Sequence, residues 1–137
     1  MSGSPNVGNV PSGGFGAGPR HYDSAYWFNA ASAYIGCDNG ATDPSVICDF
    51  VATGYQYNAA TGLDEVSVTE HFPQPPCANF QKCTLRQIFF SEQFQGLSGL
   101  SFYAVVEGQQ KIFFIDTIEM AWWNNTCSAG LERGRGR

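Results

Sequence analysis

The two histidines, His21 and His71, are the side chains best suited to move protons near neutral pH. Catalysis needs two groups that exchange a proton, or a nucleophile with a base, and neither histidine lies in a recognisable motif of that kind. The chain contains no Gly-x-Ser-x-Gly and no His-Glu-x-x-His sequence. Carboxylates are numerous enough for two to lie at glycosidase distance by chance, but their spacing singles out no pair. An enzyme, which would be glycan-active here, is therefore the least favoured class.

Five cysteines in 137 residues are more than a reduced β-domain usually carries. They form no Cys-x-x-Cys pair, which disfavours zinc and redox sites. Cys37 and Cys48 flank a turn-rich loop, and Cys77 and Cys83 flank a short one, so the sequence predicts two local disulfides. Cys127 is then free, or bonded to another segment or chain. Each bridge would stabilise the fold by about 2–4 kcal/mol, which is a structural role.

The aromatic residues, 15% of the chain, are the remaining candidates for binding. Carbohydrates present apolar C–H faces that stack on exposed rings, while polar side chains bond to their hydroxyl groups. Tyr55 and Tyr57 would share one strand face with Asp49 and Thr53, a mixed surface suited to a sugar. Tyr103 lies on the less apolar side of its own strand. We therefore predict these three tyrosines as carbohydrate-binding residues.

A period-two alternation of apolar and polar residues predicts the strands that position these side chains. The strands cover residues 25–35, 46–57, 65–72, 84–90, 100–106 and 111–123, with turns at 58–62 and 107–110. Strands at this spacing, with no convincing helix, predict an all-β fold, an antiparallel β-sandwich. Its core is expected to contain Val66, Val68 and Phe72 and the bulky rings of Trp27, Phe50, Phe102, Phe114 and Trp122.

The two ends of the chain differ in composition from its centre. Residues 1–20 hold six of the sixteen glycines and three of the seven prolines, which predicts a flexible linker. Residues 131–137 form an Arg/Gly tail that we expect to be disordered, which leaves a β-sandwich domain over 21–130. That domain carries three basic against eleven acidic residues, and this negative charge argues against nucleic-acid binding.

Several features predict a secreted, extracellular protein. Asn124-Asn125-Thr126 is an N-glycosylation sequon, with Asn124 as the acceptor, and it accompanies the high cysteine content. The apolar runs, such as residues 112–115, are too short to insert into a membrane. No signal peptide is recognisable at the N-terminus, so we expect a trimmed chain or part of a longer one.

The segments 97–102 and 113–118 resemble the closing hairpin of galactose-binding-like jelly rolls. The wider pattern of Gly36-Cys37, residues 47–50, Cys77 with Cys83, and residues 123–131 resembles an uncharacterised domain of secreted filamentous-fungal proteins. The resemblance implies a jelly-roll topology over residues 25–131, in which the first and last strands lie side by side. That topology makes a Cys37–Cys127 bridge the rival disulfide pairing.

Asp116 is the most informative carboxylate. The same predicted strand face otherwise consists of Ile112, Phe114, Ile118, Met120 and Trp122. An unpaired charge there would be costly, so Asp116 must accept hydrogen bonds or meet a cation. In galactose-binding-like carbohydrate modules the matching aspartate helps to hold a structural calcium ion. The resemblance therefore implies a calcium site of Asp116 and Asp23 with backbone oxygens, and a hydrogen-bonded Asp116 without metal is the alternative.

The leading hypothesis is a non-catalytic extracellular module that binds carbohydrate, of cell walls or glycoproteins, on one sheet face or at the loop rim. The alternative is a structural or adhesive spacer of a larger cell-surface protein with no small ligand. An exposed tyrosine on a concave face would favour the first hypothesis, and wholly buried rings would favour the second.

Overall fold

The structure is a computed structural model, and it describes residues 14–37, 47–74, 85–106, 109–111 and 113–135. Most of these residues form antiparallel strands arranged in two sheets. The first sheet contains β1 (Gly14–Gly16), β3 (Cys48–Asn58), β4 (Leu63–Gln74), β6 (Gly99–Val106) and β7 (Gln109–Lys111). The second contains β2 (Phe28–Cys37), β5 (Arg86–Phe89) and β8 (Phe113–Trp122). The predicted all-β class is confirmed.

The strand order is β1–β6–β3–β4 in the first sheet, with β7 also paired to β6, and β5–β2–β8 in the second. β3 and β4 form a long hairpin whose turn is closed by Gly62, with a φ of +71° that favours glycine. β2 and β8, the first and last long strands, are neighbours. This pairing is consistent with a jelly roll. The jelly-roll topology itself stays a prediction.

The two sheets pack face to face around one apolar core. Phe50 and Phe102 of the first sheet are 0% and 3% exposed, and Ile35 and Ile88 of the second are buried against the same cluster. The predicted core positions Phe50 and Phe102 are confirmed. Burying a side chain of this size contributes about 1.5–3 kcal/mol, so these positions are the main source of stability.

A β-bulge changes which residues of β8 face the core. Ile115 is buried, Asp116 and Thr117 are both exposed, and Ile118 again packs against the core. The register shows one extra residue in β8 between its pairings with Ser32 and Tyr34, and Thr117 has a φ of +50°. The extra residue reverses the alternation, so Asp116 does not share a face with Ile118 as the period-two pattern predicted.

β4 shows the same effect. Val68 lies opposite Gly54 on the core side, whereas Val66 lies opposite Tyr55 because of a register shift between these two pairings. Val66 is 61% exposed and Val68 is 7% exposed. The expectation that both valines face the core is therefore wrong for Val66.

Both ends of the domain differ from the predicted boundaries. The assumed linker includes β1, whose Phe15 packs on the core, and a short 3-10 helix at Gly18–Arg20. Residues 1–13 lie outside the described part of the chain. At the other end, helix α1 (Cys127–Arg135) replaces the disordered tail expected from residue 131, and the Thr126 hydroxyl accepts the N–H of Ala129 at its start. No helix in the described ranges has the length and apolar character needed to span a bilayer.

Candidate functional site

A buried polar cluster of His21, Asp64 and Ser98 joins the N-terminal segment to the first sheet. The Asp64 side chain is fully buried, and its two oxygens lie 2.9 and 3.0 Å from Nδ1 of His21. Ser98 donates its hydroxyl to the same carboxylate at 2.6 Å. An ionised carboxylate only accepts hydrogen bonds, so Nδ1 of His21 carries the hydrogen. These two donors offset the cost of removing the charge from water.

The cluster has the residue types of a nucleophilic triad but a different order of contacts. In a Ser-His-Asp triad the imidazole lies between the other two groups and takes the proton of the hydroxyl. Here the carboxylate is in the middle, because the Ser98 hydroxyl bonds to Asp64. This arrangement anchors the segment around His21 without activating a nucleophile. No sequence motif signals the pair, since 43 positions separate His21 from Asp64.

Tyr55, the first of the predicted carbohydrate-binding tyrosines, is not available to a ligand in this structure. It is 8% exposed, and its hydroxyl lies 3.2 Å from Oγ of Ser101 on β6. Val51 and Thr53, on the same face of β3, are buried as well. The exposure that a sugar-stacking role for Tyr55 requires is absent.

Tyr57 lines an open groove of about 430 Å³ at the end of the β3–β4 hairpin. This hairpin groove is lined by Gln56, Tyr57, Asn58, Ala59, Glu65, Val66 and Ser67. The Tyr57 ring packs against His21, with ring centroids 4.8 Å apart. The buried polar cluster therefore holds in place the one aromatic ring of the groove.

The polar side chains of the hairpin groove are partly bonded to one another. Asn58 donates to Glu65 at 3.0 Å, and the Ser67 hydroxyl donates to the carbonyl of Gly54 at 3.3 Å. Their oxygens keep further lone pairs for an incoming donor. Within the described part of the chain, the Tyr57 hydroxyl has no hydrogen-bond partner. The groove thus offers positioned acceptors from Asn58, Glu65 and Ser67, and Tyr57 is among its lining residues.

Tyr103, the third predicted residue, belongs to a different place on the first sheet. It is 37% exposed and lies opposite Val51 of β3. Tyr57 follows six positions further along that strand, which corresponds to roughly 20 Å. One small ligand in the hairpin groove would not reach Tyr103.

The predicted calcium ligands have other surroundings than expected. Asp116 is exposed at the bulge of β8, so its charge is solvated and needs no cation. Asp23 instead accepts the N–H of Ala25 at 3.0 Å and caps a short 3-10 helix at Ser24–Tyr26. Across the described ranges, no three His, Cys, Asp or Glu side chains are grouped to hold a metal ion.

The carboxyl group of Asp23 has a pKa below its ordinary value of 3.8. The main cause is a side-chain hydrogen bond with Glu132 on α1, followed by the N–H of Ala25. The charge of Arg20 lowers the pKa further, while burial opposes the shift. Asp23 therefore links the N-terminal segment to α1.

The remaining predicted residues are described only in part. Cys48 is fully buried and disulfide-bonded, and Cys127 is an exposed free thiol at the start of α1. The pairings stay predictions, because the side chains of three cysteines lie outside the described residues: Cys37, Cys77 and Cys83. Asn124 is half-buried and accepts the N–H of Thr126 at 3.1 Å, and its glycosylation also stays a prediction.

A second depression, of about 480 Å³, lies at one open end of the sandwich. This aromatic cleft is lined by Phe15, Gly16, Ala17, Tyr26, Phe28, Met120, Ala121 and Trp122. Met120 and Trp122 follow Ile118 on the core-facing side of β8, but the packed core ends before them. They are 47% and 44% exposed, so the placement of Trp122 in the core was wrong. Period-two patterning gives the face of a strand but not where the opposite sheet stops covering it.

Two guanidinium groups lie against rings of the aromatic cleft. Arg133 of α1 is 4.4 Å from the centroid of the Trp122 ring, and Arg20 is 5.1 Å from that of Tyr26. Nη1 of Arg133 also donates to the carbonyl oxygens of Ala25 at 2.6 Å and Asn124 at 3.1 Å. These contacts fix α1 beside the cleft.

No curated protein and no solved structure matches the chain. The family model described as "Domain of unknown function (DUF7371)" matches residues 1–133, which extends through most of α1. The chain therefore belongs to the DUF7371 family of domains.

Proposed function

We propose that this domain is a non-catalytic binding module that takes carbohydrate in the hairpin groove. The observation that carries the proposal is a groove that is lined by the half-buried Tyr57 together with an amide, a carboxylate and a hydroxyl group. A pyranose has apolar C–H faces and a rim of hydroxyl groups, so a ring flanked by acceptors matches both. A volume of about 430 Å³ lies within the range of small-ligand sites, about 300–1,000 Å³.

The contact of Tyr57 with His21 supports this role. A ligand that binds to a ring already held in one orientation does not lose affinity in ordering that ring. The buried polar cluster holds His21 through Asp64, so the stacking surface is pre-formed.

We also propose that the domain acts outside the cell, as part of a fungal secreted or cell-surface protein. The sequon at Asn124, the five cysteines and the resemblance to secreted fungal domains support this location. A buried, disulfide-bonded Cys48 is the form expected in an oxidising compartment.

A structural spacer is the second candidate function. The burial of Tyr55 and the internal hydrogen bonds of Asn58 and Glu65 favour it, because both reduce the surface left for a ligand. The two candidates differ in one property, the saturable binding of a glycan.

The test is retention of the purified domain on insoluble chitin, β-glucan and cellulose. We expect saturable retention on one polymer and its loss in Tyr57→Ala. Tyr103→Ala is the matched control, since it removes an exposed tyrosine roughly 20 Å away on the same sheet. Melting curves of both variants show whether each is folded.

Two results would contradict the proposal. Retention that survives Tyr57→Ala but is lost in Tyr103→Ala would move the site to the middle of the first sheet. No retention on any polymer would favour the spacer function.

A further inference from the structure

The aromatic cleft differs in chemistry from the hairpin groove. Its lining side chains are apolar except for the Tyr26 hydroxyl and the indole N–H of Trp122. That hydroxyl already accepts a hydrogen bond from Arg20 and lies 3.4 Å from the carbonyl oxygen of Glu132. A polyhydroxylated ligand would leave most of its polar groups unpaired there, which is costly. The cleft therefore fits the apolar body of a ligand and not a sugar.

Two arginines lie beside this cleft in an acidic protein. The chain has a formal net charge of −5. The basic side chains that the structure describes are those of Arg20, Arg86 and Arg133, and two of these lie on rings that line the cleft. Arginines distributed at random over the surface would not be found preferentially at this end of the sandwich. An apolar cavity with cations beside it is complementary to an amphiphilic anion.

Arg133 has donors to spare for such an anion. Its Nη1 group serves the carbonyl oxygens of Ala25 and Asn124, which leaves Nε and Nη2 with three N–H groups. In the described part of the chain no carboxylate lies within ion-pair distance of Arg133. Glu132, the acidic residue next to Arg133 in the chain, interacts instead with Asp23 and lowers the pKa of that carboxyl group. The guanidinium is thus fixed in place without a neutralising partner.

We propose that the aromatic cleft is a second binding site, independent of the hairpin groove, for an aliphatic amphiphile with a carboxylate head group. The alkyl chain lies against Phe15, Met120 and Trp122, and the carboxylate pairs with the guanidinium of Arg133. A planar guanidinium pairs with a carboxylate through two parallel hydrogen bonds, which selects this head group over an alcohol or a cation.

The test is titration of the full chain with dodecanoate below its micellar concentration, followed by tryptophan fluorescence and calorimetry. We expect one saturable site for dodecanoate, and binding about tenfold or more weaker for dodecyltrimethylammonium, which has the same chain and the opposite charge. Equal binding of the two amphiphiles would overturn the proposal, because the cleft would then recognise only the chain. No binding of dodecanoate would overturn it as well.

Variants locate the site. Arg133→Gln should weaken dodecanoate binding about tenfold, whereas Arg86→Gln, an exposed arginine on β5, should leave it unchanged. Arg133 also anchors α1, so Met120→Glu is the second variant. It places a carboxylate in the cleft at a half-exposed position without removing a helix contact, and we expect it to abolish binding. Dodecanoate binding that is unchanged in a folded Met120→Glu variant would exclude this cleft.

Discussion

At the scale of single residues, two carboxylate–histidine pairs differ in burial and so in their contribution to stability. The side chains of His21 and Asp64 are 16% and 0% exposed, against 58% and 38% for His71 and Asp49. Removing one partner of a buried hydrogen-bonded pair costs about 1–3 kcal/mol for each polar group left unsatisfied, whereas an exposed pair contributes about 0–1 kcal/mol. The similar contact distances of 2.9 and 2.7 Å therefore hide a large difference in energy.

We expect Asp64→Ala to lower the free energy of unfolding by about 2–4 kcal/mol, because it leaves the donors of His21 and Ser98 without their acceptor. Asp49→Ala is the matched control and should cost less than about 1 kcal/mol. Urea unfolding at neutral pH, followed by circular dichroism, measures both. Similar losses in the two variants would show that burial does not set the strength of these pairs.

Asp23 should make stability depend on pH in the acid range. Its lowered pKa means that the folded state favours the ionised form. Its stabilising effect is therefore fully present above the ordinary value of 3.8 and is lost as the pH falls through the lowered pKa. We expect Asp23→Asn, which keeps a capping side chain, to be about 0.5–1 kcal/mol less stable than the wild type at pH 7.

Urea unfolding of Asp23→Asn and wild type at several pH values measures this difference. The two proteins should converge in stability as the pH falls below the lowered pKa, because the aspartate is then protonated in both the folded and unfolded states. If the difference in the free energy of unfolding stays constant over the acid range, the effect of the substitution comes from the shape of the side chain and not from its charge.

At the scale of elements, unbroken alternation was predictable and bulges were not. β3 pairs with β4 without a register shift from Cys48 to Gly54, and its core residue Phe50 was predicted from the sequence. β8 contains an extra residue at a threonine, and nothing in the local sequence distinguishes Thr117 from other strand threonines. The prediction that Asp116 lies on an apolar strand face was wrong because of this one extra residue in β8.

Helix α1 shows a different limit of sequence patterns. Its nine residues include Gly130 and Gly134, and such a short helix is marginal by itself. Contacts with the rest of the fold hold it in place: Ala129 is 3% exposed, and Arg133 bonds to the backbone of Ala25. Arginine and glycine content alone therefore predicted disorder where tertiary contacts produce a helix.

The bulge in β8 yields a prediction at this scale. Thr117 is a β-branched residue with a φ of +50°, a conformation that costs such residues about 1–2 kcal/mol. We expect Thr117→Gly to raise the free energy of unfolding by about 1 kcal/mol, measured in urea. Thr69→Gly, at an exposed position of β4 that pairs regularly with Thr53, is the control and should lower it by about 0.5–1 kcal/mol. A loss of stability in both variants would show that the strain at Thr117 is offset locally.

At the scale of the whole molecule, the sandwich determines which predicted residues can meet a ligand. Tyr55 and Tyr57 are two positions apart on the same face of β3, and only Tyr57 reaches a groove because it lies near the hairpin end. Likewise Trp122 lies on the core-facing side of β8 but beyond the packed core. Both differences depend on what covers a strand, which is set by residues distant in sequence.

The disulfide framework also acts on the whole molecule, because a cross-link destabilises the unfolded chain as a unit. Of the five cysteines, Cys48 is disulfide-bonded and Cys127 is a free thiol, so the two predicted bridges leave one thiol per chain. We expect a thiol reagent to detect one free thiol per chain in the denatured, unreduced protein and none in Cys127→Ser. Detection of three free thiols would contradict one of the two predicted bridges.

Full reduction of the bridges should lower the melting temperature by on the order of 10 °C, since each bridge contributes about 2–4 kcal/mol. A melting temperature that is unchanged after verified reduction would mean that the packed core alone sets the stability.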